Sequence, residues 1–166
     1  MSDLELIREL YRYNSDVRKK YIDVIFKLPA GERYKDRGAS FPSLVDILVH
    51  IVDGYRWWFV FALNDDLSNY VGLRGRKPYS IEEVEDEEKR VDSYVVNLLS
   101  KLSEGDLDRD ITFTHSSRKV SVKMKHIFIH MIEEELQHRG ELNALLWQMG
   151  VEPPVTEYID WKASGN

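Results

Sequence analysis

The sequence predicts an all-α protein, a four-helix bundle with a long connection between its second and third helices. Four stretches repeat apolar residues at spacings of three and four, and no stretch alternates long enough to promise a substantial sheet. Its 166 residues, 43% of them hydrophobic, carry no repeat, low-complexity tract or break in composition. That length supports one domain with a full core, spanning residues 1–166.

The first helix is expected over residues 3–28, with Ile7, Leu10, Asn14, Val17, Tyr21, Val24 and Leu28 as its seam. Asn14 interrupts this seam, and a hydrogen bond to a neighbouring helix is its expected role, with a place beside a functional site as the other. Pro29, Gly31 and the polar run to Ser40 make a connection. The second helix runs from about Ser43, a suitable N-cap, to Leu63. Leu44, Ile47, Ile51, Tyr55, Trp58, Phe61 and Ala62 form its apolar face, and His50 lies at one edge. Gly54 follows His50 by one turn; a mid-helix glycine costs about 1 kcal/mol against alanine, so something is expected to need that space.

Residues 64–80 form a long loop, locally basic through Arg74, Arg76 and Lys77. Loops of this length commonly serve as lids or binding segments, and these three cations are candidates for contacting a substrate. The competing expectation is that the loop docks on the acidic start of the third helix. That helix begins at about Ile81, where Ser80 and Glu83 fit a capping box, and its inner face is Val84, Glu87, Val91, Tyr94, Val95, Leu98 and Leu102. Residues 106–120 are the least regular part, with a short extended stretch expected at Ile111–Thr114 and solvated turn residues at His115 and Arg118. The fourth helix is expected from Ser121, as N-cap, to Gly150, as C-terminal stop, with Pro153 and Pro154 beyond. Tyr158, Ile159 and Trp161 in the tail are expected to fold back over an end of the bundle.

Composition excludes several functions. A net charge of −6 argues against general affinity for nucleic acid or anionic lipid. The absence of cysteine removes disulfides, thiolate metal sites and a cysteine nucleophile. Charged residues interrupt the N-terminal apolar positions, so no signal-peptide pattern is present, and no apolar run approaches the length of a membrane span. The expected location is the cytoplasm.

The chemistry is concentrated in the fourth helix. Met124, Ile127, Met131, Leu142, Leu145 and Met149 fall within about 60° of one another on a helical wheel. Glu134 and His138, one turn apart, point close to the same stripe. Burying an unpaired carboxylate costs several kcal/mol, and a metal ion is one way to supply the missing positive charge. Together with His50 they provide two imidazoles and a carboxylate, the donor set of hydrolytic zinc sites and of the facial triad of non-haem iron. Three protein ligands leave coordination positions open, as a catalytic ion requires. The alternative is a buried, neutralised polar cluster without metal. His130 is a candidate fourth ligand or supporting residue, and Glu135 competes with Glu134 as the ligand. Glu135 and His138 also make one E-x-x-H, but the second copy that a di-metal carboxylate bundle requires is missing. His126 falls on the polar side, and Arg139 points away from the stripe toward a partner across a helix boundary.

The segment HxxxEExxHRGELNALLWQMGVEPP resembles the fourth-helix signature of the DinB/YfiT-like four-helix-bundle proteins. SLVDILVHIVDGYRWW resembles their second helix, and YRYN at Tyr11 to Asn14 and the closing YIDW fit as well. The resemblance covers nearly the whole chain. It implies a divalent metal bound by one histidine of the second helix and two positions, four apart, before Arg-Gly in the fourth. Those positions are His50, Glu134 and His138, with Glu134 standing where the usual pattern has histidine. Zinc is the first expectation for such a set, with iron, nickel and manganese as the others. The resemblance further implies a small-molecule substrate used with a low-molecular-weight thiol, as in the family's thiol-dependent transferases and isomerase, and a homodimer. The other functional class, also carried by the family, is a non-catalytic metal-binding or stress-response module.

Overall fold

In the computed structural model, which describes residues 1–64, 66–73, 79–115 and 117–165, four long helices form the frame. The first, α1 (Asp3–Phe26), starts in a capping box: Glu5 N–H donates to Ser2 Oγ, and Ser2 N–H to Glu5 Oε2. A single turn, α2 (Ala30–Arg33), follows Pro29. The next long helix, α3 (Leu44–Tyr55), is capped by Ser43, whose Oγ accepts from Asp46 N–H at 3.2 Å. It is apolar nearly all round, as a helix enclosed by others should be. Beyond Tyr55 the chain widens into a π-helical turn over Arg56–Phe61 and then a 3-10 turn over Ala62–Asn64. Phe59 thereby enters the core, while Trp57 and Trp58, the second of these expected inside, stay half-buried.

The capping box at Ser80 and Glu83 starts α4 (Ile81–Lys101). Its buried face contains Glu88 in place of the expected Glu87, which pairs at the surface with Arg56 at 3.0 Å. A 3-10 turn (Glu104–Asp108) leads into an antiparallel hairpin of β1 (Asp110–His115) and β2 (Arg118–Lys123). The expected extended stretch is therefore half of a small sheet. Ser121 does not cap a helix; it pairs with Thr112 across the hairpin, and Arg118 belongs to β2. The period-2 alternation of Val120 and Val122 delays the helix, because those side chains are needed on one face of the hairpin.

The last long helix is α5 (Met124–Gln148). It closes in a Schellman motif: Val151 N–H reaches Leu146 O at 2.9 Å, and Gly150 N–H reaches Trp147 O at 3.0 Å. Gly150 has φ +69°, which explains the glycine there. The tail ends in α6 (Tyr158–Ala163), where Trp161 is buried against Tyr13 and donates to Asp16. Ile159, expected to fold in with it, is 72% exposed. In the bundle α3 packs on α4 and α5, and α1 packs on the same two helices. No helix among the described residues is long and apolar enough to cross a membrane.

Candidate metal centre

His50 sits in the middle of α3, opposite Glu134 and His138 on α5. Its Nε2 lies 2.9 Å from Glu134 Oε1, and His138 Nε2 lies 3.3 Å from the same oxygen. The two imidazoles and the carboxylate that sequence spacing singles out thus meet at one point, with their donor atoms within 4.8 Å of one another. Phe41, in the loop before α3, covers them: its ring stacks on His50 at 4.2 Å and meets His138 edge-on at 5.4 Å. Partial burial pushes the Glu134 pKa up, but hydrogen bonds from His50 and His138 outweigh it, and the carboxyl sits below its ordinary value.

A second carboxylate orients His138. Glu141 Oε2 lies 2.7 Å from His138 Nδ1 and accepts from Ser40 Oγ at 2.6 Å. Burial pushes Glu141 up, and Ser40 and His138 together bring it below its ordinary range. If Nδ1 carries the proton given to Glu141, the Nε2 lone pair faces Glu134. A lone pair facing a carboxylate oxygen is repulsive unless a cation or a proton lies between them. A doubly protonated His138 donates to both carboxylates; with a divalent metal in place of the proton on Nε2, His50, Glu134 and His138 are the donor set that would hold it, with Glu141 supporting from behind.

The remaining candidates are placed elsewhere. Glu135 is fully buried inside the bundle, receiving Arg18 at 2.8 Å and the Tyr55 hydroxyl at 2.6 Å. It is outside the three-residue group. Arg18 also reaches Glu88 at 3.3 Å. Burial raises the Glu88 pKa above its ordinary value against the pull of the Arg18 charge. Burial and the neighbouring Glu135 push the Tyr55 hydroxyl up. Asn14 is buried in the same network, approaching Tyr55, rather than at the candidate centre. Arg139, expected to point away from the stripe toward a partner on another helix, is buried with its guanidinium 5.2 Å from the ring centroid of Tyr13 on α1.

His130 is exposed, its ring 5.3 Å from that of Trp58, and groups with Glu133 and Glu134 instead of with the two inner histidines. A Cβ on Gly54 would come within 3.2 Å of Met131 Cε, so the space that glycine leaves is taken by a methionine of α5 and not by His50. Arg74, Arg76 and Lys77 lie outside the described residues, as does the side chain of His115. The part of the loop that is described is tied to α3: Tyr70 donates to Asp53 at 2.6 Å, and Arg56 to Val71 O at 2.6 Å. The centre opens on a cleft of about 450 Å³ lined by His50, Trp57, Trp58, Tyr70, Thr114 and Glu134, among others. Glu141 was findable, since i and i+3 share a helix face. Phe41 and Tyr70 come from loops and had no comparable signal.

Residues 1–165 match the family described as the DinB family. The chain belongs to the DinB family. A curated DinB-family relative, Protein DinB of Bacillus subtilis (strain 168), is 25% identical over 164 residues, covering 95% of this chain and 93% of its own. Crystal structures of two DinB-like proteins share the fold. One from Bacillus subtilis superposes with a TM-score of 0.64 at 17% identity, over 89% of this chain and 97% of its own. Another, from Bacillus cereus ATCC 10987, gives 0.65 at 18% identity, over 87% and 91%. The family match spans α3 and α5, the helices that carry all three candidate ligands of this DinB-family chain.

Proposed function

We propose that this DinB-family protein is a divalent-metal-dependent enzyme, a thiol-dependent transferase or a hydrolase acting on a small molecule, with the metal held by His50, Glu134 and His138. The single observation that carries this reading is the meeting of both imidazole Nε2 atoms on one carboxylate oxygen, at the inner end of an open cleft. Zinc is the first choice of metal, with iron, nickel and manganese the others compatible with the donor set. When bound, such an ion supplies Lewis acidity and lowers the pKa of a coordinated water or thiol. The chain's own residues do the positioning. Glu141 and Ser40 hold the His138 ring, Phe41 packs against both imidazoles and screens them from water, and Trp57, Trp58 and Tyr70 wall the space in which a substrate would lie.

The position of His130 favours catalysis over a purely structural ion. A closed site needs a fourth protein ligand, and His130 groups with Glu133 and Glu134. His138→Ala tests the reading: it should lose the stoichiometric metal that wild type holds, together with any thiol-transfer or hydrolytic activity found by screening. Metal retained at wild-type affinity would refute the ligand assignment.

The proposal extends to a homodimer formed along α5. Ile129, Leu136 and Trp147 are each at least half exposed and line up with Gly140 within about 40° of the helix wheel. The spacing of these four positions is the same read from either end, so an antiparallel second copy sets Ile129 against Trp147 and Leu136 over Gly140. A Cβ added at Gly140 would meet nothing within 4 Å, which leaves room for a close approach.

A further inference from the structure

A second cleft, of about 460 Å³, shares Trp58, His130 and Glu134 with the first and lies on their other side, against the β-hairpin. Its wall is Trp58, Phe113, Val120, Val122 and Ile127, and its polar rim is His126, His130 and Glu134. Hairpin register explains how it forms. Ile111 pairs with Val122 and Phe113 with Val120, so alternation places these four side chains on one face. Ile111, Phe113 and Ile127 are buried, whereas Val120 and Val122 remain half-buried and form an apolar surface still open to a ligand. Trp58 and Phe113 meet edge to face, 4.9 Å apart at 88°, as rings do when they shape a rigid apolar wall.

We propose that this hairpin cleft binds the uncharged aromatic or branched apolar body of a substrate whose polar end reaches Glu134. Only the role of that polar end rests on the metal-centre reading; the recognition of the body rests on the cleft. Among the described residues the lining contains no lysine or arginine, and its polar groups stand together at the rim, so a body seated against Trp58, Phe113, Val120, Val122 and Ile127 meets only apolar surface. Apolar walls with a few polar groups at one end are the usual design of a small-molecule site. The hairpin thereby acts as the specificity element, and α3 and α5 supply the chemistry.

The probes are imidazole and 4-phenylimidazole, which differ by one phenyl ring. Each is titrated by tryptophan fluorescence into metal-free and zinc-loaded protein, using wild type, Val120→Asp and the near-isosteric Val122→Thr. Each variant is first checked for an unchanged thermal midpoint, and Val122→Thr carries the test if Val120→Asp is unstable. Metal-free wild type should bind 4-phenylimidazole at least about tenfold more tightly than imidazole, the equivalent of ~1.4 kcal/mol. The variants should shrink that preference severalfold. Equal affinities in wild type, or a preference unchanged in a folded variant, would overturn the proposal. Zinc should tighten both probes alike through their shared imidazole. If it tightens neither, the metal centre fails while the metal-free comparison still decides the cleft.

Discussion

Glu134 presents its carboxylate to two imidazoles at the edge of a cleft and is 26% exposed; Glu135, the next residue, is fully enclosed with Arg18 and Tyr55. Neighbours in sequence on a helix diverge by about 100°, enough to send one side chain to the candidate centre and the other into the bundle. Removing one partner of a buried ion pair strands the other, at a cost of about 3–5 kcal/mol. Glu135→Ala should therefore lower unfolding stability by about that amount and leave metal binding by the folded fraction intact. Glu134→Ala should abolish metal binding with a stability change of about 1 kcal/mol or less. Urea denaturation with elemental analysis distinguishes the two, and the reverse pattern would exchange their roles. At Glu141 the effect should be graded: Glu141→Ala should weaken metal affinity by about 10–100-fold without eliminating it, because it holds His138 and does not itself reach the centre. The meeting of His50, Glu134 and His138 is legible in the sequence because each is a polar residue beside an apolar helical stripe. The Arg18 network was hidden, since a long cation beside a seam looks like any solvated residue until its partners on two other helices are placed.

Caps and breakers made the long helices readable. Ser43, the Ser80–Glu83 box and Gly150 all act where local chemistry requires, because capping depends on only a few adjacent residues. The π-turn at Arg56–Phe61 and the start of α5 were not readable in this way. Both are set by tertiary packing: Phe59 is drawn into the core, and Val120 and Val122 are held on the hairpin face. At this scale α5 carries two outputs. Its inner face presents Glu134 and His138, and its outer stripe of Ile129, Leu136 and Trp147 carries the proposed dimer. Leu136→Lys with Trp147→Glu should convert a dimer to a monomer in sedimentation velocity. Wild type sedimenting as a monomer at concentrations of about 100 μM, or an undisturbed dimer in the double variant, would move the interface away from this stripe.

Across the whole molecule, α1 is bound to α4 by a polar cluster remote from the candidate centre. Asp92 accepts from Tyr11 at 3.0 Å, Ser15 at 2.6 Å and Lys19 at 3.0 Å. Burial pushes its pKa up, but the Ser15 and Lys19 hydrogen bonds and the lysine charge carry it below the ordinary value. A carboxyl whose folded pKa is depressed contributes stability that is present above its unfolded pKa of about 3.9 and is lost as pH falls through the folded value. Asp92→Asn should therefore be less stable than wild type at pH 7, and the gap should narrow below about pH 4 in urea titrations; a gap independent of pH would contradict this linkage. The bundle frame itself follows from the helical periodicity, and the family match and two structural neighbours agree with it.

We propose that α3 and α5 bring His50, Glu134 and His138 together to hold one divalent metal. Elemental analysis of untagged protein, wild type beside His138→Ala, tests it most directly. Wild type should hold about one transition metal per chain, zinc first, and a His138→Ala protein that remains folded should lose it. Wild type without metal after reconstitution with zinc, iron, manganese and nickel, or a His138→Ala protein that retains the ion, would contradict it.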